Sequence, residues 1–322
     1  MSGREIRVMI TGVGVIGPLG LDPPAMAAAL AEGRTGLGRP WLLPDDGPIR
    51  VTAEARAFDG KIDGFGPLPP AKKKPIRKGL KVMCREIQMG VAAAQRALHD
   101  AGLEDGTIDP DRIGMVFGSD YILTVPEEIE PAVRACVDEQ GMFDFNRWGT
   151  EAIPKVAPLW LLKYLPNMPA SHVAIYNDLR GPNNSITMRE ASSLMAIAEA
   201  SAVIARGHAD VMLAGATGTR VHPLRSLHAA MQEEVVRDAE DPAFASRPFD
   251  EARHGMVLGE GAAVLVLERA DSAAARGVTA WGEVLGCGLA TRAGGGRTLS
   301  GPGTGDERGR CGRSGRPARH LR

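Results

Sequence analysis

Apolar positions along the chain follow two spacings: short runs of the kind a strand buries, and longer stretches with small or apolar residues every three or four places, as on one face of a helix. Residues 6–16, IRVMITGVGVI, form the first run and lead into a glycine-rich turn, VGVIGPLG. PPAMAAALAEG, from Pro23, predicts the first helix. REIQMGVAAAQRALHDAGL predicts a second, with an Ala-rich buried face and a stop at Gly102. RIGMVFGS (112–119) reads as a strand, and residues 120–170 as helices and loops broken by prolines around PNMPA. PASHVAIYNDLRGPNN predicts a short helix stopped by Gly181 and Pro182.

Next comes SITMREASSLMAI (185–197), a short strand end (Ser185, Ile186, Thr187) running into a helix that continues to a cap at Gly207. DVMLAGA (210–216) is the following strand. Strand, helix, strand predicts a right-handed parallel unit. SRPFDEARHGMVLGEGAAVLVLERA ends in an apolar run, Ala262–Leu267, that predicts a strand buried on both faces. WGEVLGCGLA (281–290) begins one more strand, and residues 291–322 then turn to Gly and Arg with few large apolar side chains.

Composition narrows the classes. A chain of 322 residues, 44 % apolar, is long enough for one large or two fused α/β domains. A net charge of -1 gives no field for nucleic acid. Cys84, Cys136, Cys287 and Cys311 form no CxxC pair and lack histidines at metal spacing, as expected of reduced cytoplasmic thiols. No run reaches the ~18 apolar residues a membrane span needs, and no signal peptide is evident, so no membrane partner is expected. The Gly/Arg segment reads either as a flexible basic tail or as GC-rich DNA translated out of frame.

Three stretches carry candidate chemistry. Gly12, Gly14 and Gly17 match G-x-G-x-x-G, but Pro18 stands where a phosphate-binding helix should already run, and no acidic strand end follows. A structural turn is the better reading, and no nucleotide cofactor is expected. Lys72, Lys73, Lys74, Arg77, Lys78 and Lys81 make a basic cluster, read either as a solvated loop before a helix or as a docking surface for an acidic partner. The third is the turn at 188–191, where a strand breaks into a helix. A helix N-terminus stabilises an anion, which makes such a turn a favoured mount for a nucleophile. The residue there is Glu190.

VMITGVGVIGPLG, LPNMPASHVAIYNDLRGPNNSIT, AIAEASAVIARGHADVMLAGA and SRPFDEARHGMVLGEGAAVLVLE resemble, in this order, the N-terminal half of the β-ketoacyl-acyl-carrier-protein synthases. The resemblance implies a thiolase-like layered α/β fold, helices flanking a mixed sheet. Residues 1–270 would be the N-terminal half, 271–290 the start of the C-terminal half, and 291–322 a disordered or out-of-frame tail. It implies acyl-chain elongation in fatty-acid or polyketide synthesis, with an acyl carrier protein delivering substrates on phosphopantetheine. It also implies a dimer, with itself or with an active ketosynthase. The basic cluster would then be the carrier-docking surface.

Two departures bear on activity. Aligned on Gly181-Pro182-Asn183 and Ala196-Ile197, the family's T-A-C-A elbow falls on Met188-Arg189-Glu190-Ala191, so Glu190 replaces the nucleophilic cysteine. The family's G-T-x-T and N-x-K…G-H motifs, which supply two histidines and a lysine, do not occur; an abrupt switch inside a strand near Ala290 is what a frameshift would leave. A thiolate attacks thioesters readily, whereas a carboxylate, held ionised by the helix and pushed toward neutrality by burial, would give a labile mixed anhydride. Ser192 and Ser193 lack an adjacent base and read as small packing residues, and His254 as structural. Chain-length factors, the partner subunits of some polyketide synthases, have lost the same cysteine, often to glutamine. Three expectations result: a ketosynthase homologue not competent for condensation, a non-catalytic partner subunit, or a truncated remnant without function.

Overall fold

The computed structural model describes residues 6–103 and 106–290. Strand β1 (Val8–Ile16) opens the chain, followed by α1 (Pro23–Ala31), two short strands β2 (Leu37–Gly38) and β3 (Thr52–Ala53), and α2 (Pro70–Gly79). Helix α3 (Arg85–Asp100), β4 (Ile113–Ser119), α4 (Pro126–Ala135), α5 (Met168–Asn177), β5 (Asn183–Thr187), α6 (Ser192–Ala205) and β6 (Val211–Thr219) build the middle. Then come α7 (Pro223–Gln232), β7 (Leu258–Arg269), α8 (Ala270–Arg276) and β8 (Gly282–Val284).

The strands form one mixed sheet. β4 pairs in parallel with β5 on one side and β6 on the other, β6 and β7 are antiparallel, and β1 lies antiparallel between β7 and β8. β3 joins the other end of β7 in parallel and carries β2. Alternation along the strands separates two cores. Met115, Phe117, Val211, Leu213, Val264 and Val266 face α3 and its alanines. Val116, Met212, Ala214 and Leu267 face Ala196, Ala200, Val203 and Ile204 of α6. Helices flanking a mixed sheet is the architecture the resemblance implied.

Several local expectations need correction. Gly12 and Gly14 lie inside β1, not in a turn after it. A methyl group at Gly14 would meet the Ala93 carbonyl at 1.9 Å, and one at Gly12 the Ala97 carbonyl at 2.4 Å, so both glycines let α3 lie directly on the strand. The basic cluster is not a loop: residues 70–79 form α2 despite Pro75, anchored by buried Ile76. Helix α5 stops at Asp178, which takes the left-handed conformation (φ 51°) three residues before Gly181. β7 is buried on both faces only from Val266 to Glu268, because Ala263 stays exposed and Leu265 half-buried.

Candidate functional site

β4, β5 and β6 run parallel, so their C-terminal ends at Ser119, Thr187 and Thr219 share one rim of the sheet, the edge where α/β proteins collect their sites. After Thr187 the chain folds back on itself. Arg189 sits at φ 52°, a strained conformation for a non-glycine residue, and Arg189–Ala191 form one 3-10 turn before α6 begins. Buried Ser192 fastens this turn: its hydroxyl accepts from the Met188 N–H at 2.7 Å and donates to the Ser119 carbonyl at 2.9 Å. A Cβ at Gly118 would lie 2.7 Å from the Ser192 backbone, so glycine is what admits the start of α6 against β4.

Glu190 is not buried; its side chain is 69 % exposed, which corrects the expectation that burial would press it toward neutrality. It is instead held by cations. Its carboxylate pairs with Arg220, at the end of β6, and lies 3.8 Å from the Arg189 guanidinium. Arg220 also reaches Glu233 at 3.0 Å, and Arg189 reaches Glu233 at 2.5 Å. The four side chains close a ring of alternating charge: Arg189, Glu190, Arg220, Glu233. Burial alone would raise the Glu233 carboxyl, but the hydrogen bonds from Arg189 and Arg220 outweigh it and hold it below the usual carboxylate range.

A second charged group lies underneath, with Arg225 and Glu86 buried. Arg225 of α7 donates to Asp120 at 2.6 Å and to the Tyr121 carbonyl at 2.9 Å, covers the Tyr121 ring, and approaches Glu86 of α3 at 3.6 Å. Burial pushes the Glu86 carboxyl up to about 7. Cys84 donates to Glu86 at 3.5 Å, and burial, reinforced by that carboxylate, pushes its thiol well above the ordinary range. A thiol so placed is protonated and a poor nucleophile. Beside Arg225, the Tyr121 hydroxyl meets His228 Nδ1 at 2.9 Å.

The turn and these groups line an open cavity of about 430 Å³, walled by Gly118, Glu190, Ser193, Thr219, Arg220 and Arg225 among others. A second cavity, of about 510 Å³ and lined by Ile16, Leu19, Met26 and Leu37, adjoins it across Ala216–Gly218 and Glu260–Gly261. Of the residues singled out in the sequence, Glu190 and Ser193 come to the first cavity, with Ser192 engaged in the turn. Lys72, Lys73, Lys74, Arg77 and Lys78 do not; they sit on α2, where Lys72 donates to Asn177 at 2.9 Å. His254 is exposed in irregular chain before β7, and Cys311 and the 291–322 segment lie outside the described residues. Among the described residues no cluster of His, Cys, Asp and Glu could hold a metal ion, and no helix is long and apolar enough to cross a membrane.

Arg220, Glu233, Arg225, Glu86 and Asp120 were not found by sequence reasoning. One signal was available: Arg220 is a charge directly after the apolar run DVMLAGATGT, at the C-terminal end of a strand in a parallel unit.

Comparison with known proteins matches residues 5–273 to the sequence model of the β-ketoacyl synthase N-terminal domain. A 3-oxoacyl-[acyl-carrier-protein] synthase 2 of Vibrio cholerae is 32 % identical over 90 % of this chain and 64 % of its own length. The tetracenomycin polyketide synthase ketoacyl synthase alpha subunit of Streptomyces glaucescens is 34 % identical over 89 % of this chain and 63 % of its own. The chain thus spans less than two thirds of the length of these curated relatives. Among solved structures, a β-ketoacyl synthase from Burkholderia phymatum superposes with a TM-score of 0.69 at 30 % identity, covering 87 % of this chain and 63 % of that one. The ishigamide ketosynthase/chain length factor shares the fold, with a TM-score of 0.66 at 24 % identity, over 88 % of this chain and 63 % of that one.

Proposed function

The chain belongs to the β-ketoacyl synthase family, and on that footing we propose that it is a non-condensing member, the partner subunit of a cysteine-bearing ketosynthase in fatty-acid or polyketide chain elongation. The observation that carries this reading is the closed ring around Glu190. A nucleophile needs a free electron pair aimed at the incoming carbonyl. The Glu190 carboxylate is instead shared between Arg220 and Arg189, and taking an acyl group from a thioester would give a mixed anhydride with loss of the thiol. Ser192, whose hydroxyl is engaged on both sides, does not replace it.

The edge of the sheet supports a partner. β5 pairs with β4 and, among the described residues, with no strand on its other side. Ile175, Leu194 and Met188, on the elements around it, are 71 %, 69 % and 55 % exposed. An unpaired edge flanked by apolar side chains suits a second subunit of the same fold, whether another copy or an active ketosynthase. On this reading substrates arrive on the phosphopantetheine of an acyl carrier protein in the cytoplasm, and the protein needs no cofactor of its own. The basic face of α2, with Lys72, Lys73, Lys74, Arg77 and Lys78, offers an acidic carrier a complementary surface.

Co-expression with a cysteine-bearing ketosynthase from the same source, followed by native mass spectrometry, tests the reading. A complex of one copy of each chain, with β-ketoacyl product formed only when both are present, is expected. Product made by this chain alone would overturn it.

A further inference from the structure

Between α4 and α5 the chain builds a surface of exposed rings. A tight hairpin, closed by the bridge between Val137 and Phe143, leads into a 3-10 turn (Phe145–Arg147) and one π-helical turn (Trp148–Ala152). Three aromatic side chains meet there. Phe143, Phe145 and Trp148 stand 6.3–6.5 Å apart between ring centroids, and Phe145 lies nearly parallel to Trp148, at 12°. Trp148 is rooted in a small core of Ala132, Cys136 and Ala152. Phe143 and Phe145 are 48 % and 72 % exposed, with Met142 beside Phe143 at 67 %. The turns that carry them are pinned by side-chain caps: Asp138 accepts from the N–H groups of Gln140 and Met142, and Asp144 from that of Asn146. Aromatic side chains held in place before a partner arrives lose little entropy on contact.

Charge selects what covers the rings. From 138 to 155 the chain carries four carboxylates, Asp138, Glu139, Asp144 and Glu151, and two cations, Arg147 and Lys155. Both cations act on Glu151. Arg147 holds it in two-point contact at 2.6 and 2.8 Å; these hydrogen bonds, with Lys155 adding to them, keep its carboxyl below the ordinary range. Asp138, Glu139 and Asp144 remain as negative charge on the hairpin that carries the rings. We propose that this surface docks an extended, arginine-rich segment of a partner protein, its guanidinium groups stacking on Phe143 and Phe145 while these three carboxylates balance their charge. Lysine matches the charge but not the ring faces, because its ammonium is compact and strongly hydrated. An uncharged apolar partner matches the rings but would desolvate three carboxylates without pairing them.

Fluorescence anisotropy of a labelled nona-arginine peptide, titrated with the full chain at physiological ionic strength, tests this, with nona-lysine as the probe of equal charge. Arginine is expected to bind about fivefold tighter than lysine, the ratio that one exposed cation–π contact of about 1 kcal/mol supplies. Phe145→Leu keeps an apolar side chain but removes the ring; it is expected to erase that preference and to leave lysine binding as it was. Glu139→Gln, on the exposed hairpin turn, is expected to weaken both peptides alike. Equal binding of the two peptides by the parent chain, or an arginine preference that survives Phe145→Leu, would overturn the proposal. So would sedimentation that shows a dimer of the parent chain dissociated by Phe145→Leu, since a second copy would then be what covers the rings.

Discussion

Replacing Glu86 by glutamine isolates the buried charge beneath the turn. Burial raises its carboxyl to about 7, against an ordinary 4.5, and nearby Glu260 adds to the rise, although Arg225, the Cys84 thiol and the Thr219 N–H favour the ionised form. Because the folded-state value is the higher one, the unfolded chain gives up this proton first as pH rises. The group's contribution to stability is therefore complete below about pH 4.5 and is lost as pH climbs through about 7. At about 1.4 kcal/mol for each pH unit, that window amounts to about 3 kcal/mol. Glu86→Gln keeps an acceptor for the Thr219 N–H but cannot ionise, and Arg225 keeps Asp120 at 2.6 Å. Urea unfolding of both proteins at pH 5 and pH 8 reads the difference. The variant is expected to gain about 2.5 kcal/mol on the parent between the two pH values, since part of the loss is already complete at pH 5. A stability difference that does not change with pH would refute the reasoning.

Further outcomes follow from the same geometry. Gly14→Ala places a methyl 1.9 Å from the Ala93 carbonyl, so α3 must move off β1, and a loss of about 3 kcal/mol or more is expected in thermal unfolding; an unchanged melting temperature would show that the contact is not tight. Ser192→Ala removes both hydrogen bonds that fasten the turn, which should cost about 1–3 kcal/mol and speed amide exchange at Met188. Glu190→Cys puts a thiol beside Arg220 and Arg189, where it should ionise below the ordinary value of about 8.5. The pH midpoint of its alkylation by iodoacetamide checks this, and a midpoint at or above 8.5 would mean that the arginines turn away.

The helices and strands were legible where periodicity and packing agree. Both are visible in REIQMGVAAAQRALHDAGL, where alanines mark the face that α3 lays on the sheet. Gly12 and Gly14 were misplaced because a glycine that admits a crossing helix looks, in sequence, like a glycine that turns the chain. Residues 70–79 read as a loop because two prolines and five cations hide the single anchor, Ile76. The turn at Glu190 was found from its strand-to-helix spacing and the family pattern, but not its environment. Arg220 and Glu233 lie 30 and 43 positions further along the chain, and only the parallel pairing of β4 with β5 and β6 brings the ends of these elements to one rim. Exposure was misjudged for the same reason. A nucleophile elbow is expected to be enclosed, whereas Glu190 points outward to meet its cations.

The central claim is that Glu190 takes no acyl group. Incubation of the intact chain with an acyl carrier protein loaded with a medium-length acyl thioester, followed by intact-protein mass spectrometry, tests it most directly. An unchanged mass is predicted, with the acyl group still on the carrier. An acyl adduct that maps to the peptide containing Glu190 and disappears when malonyl-loaded carrier is added would contradict it.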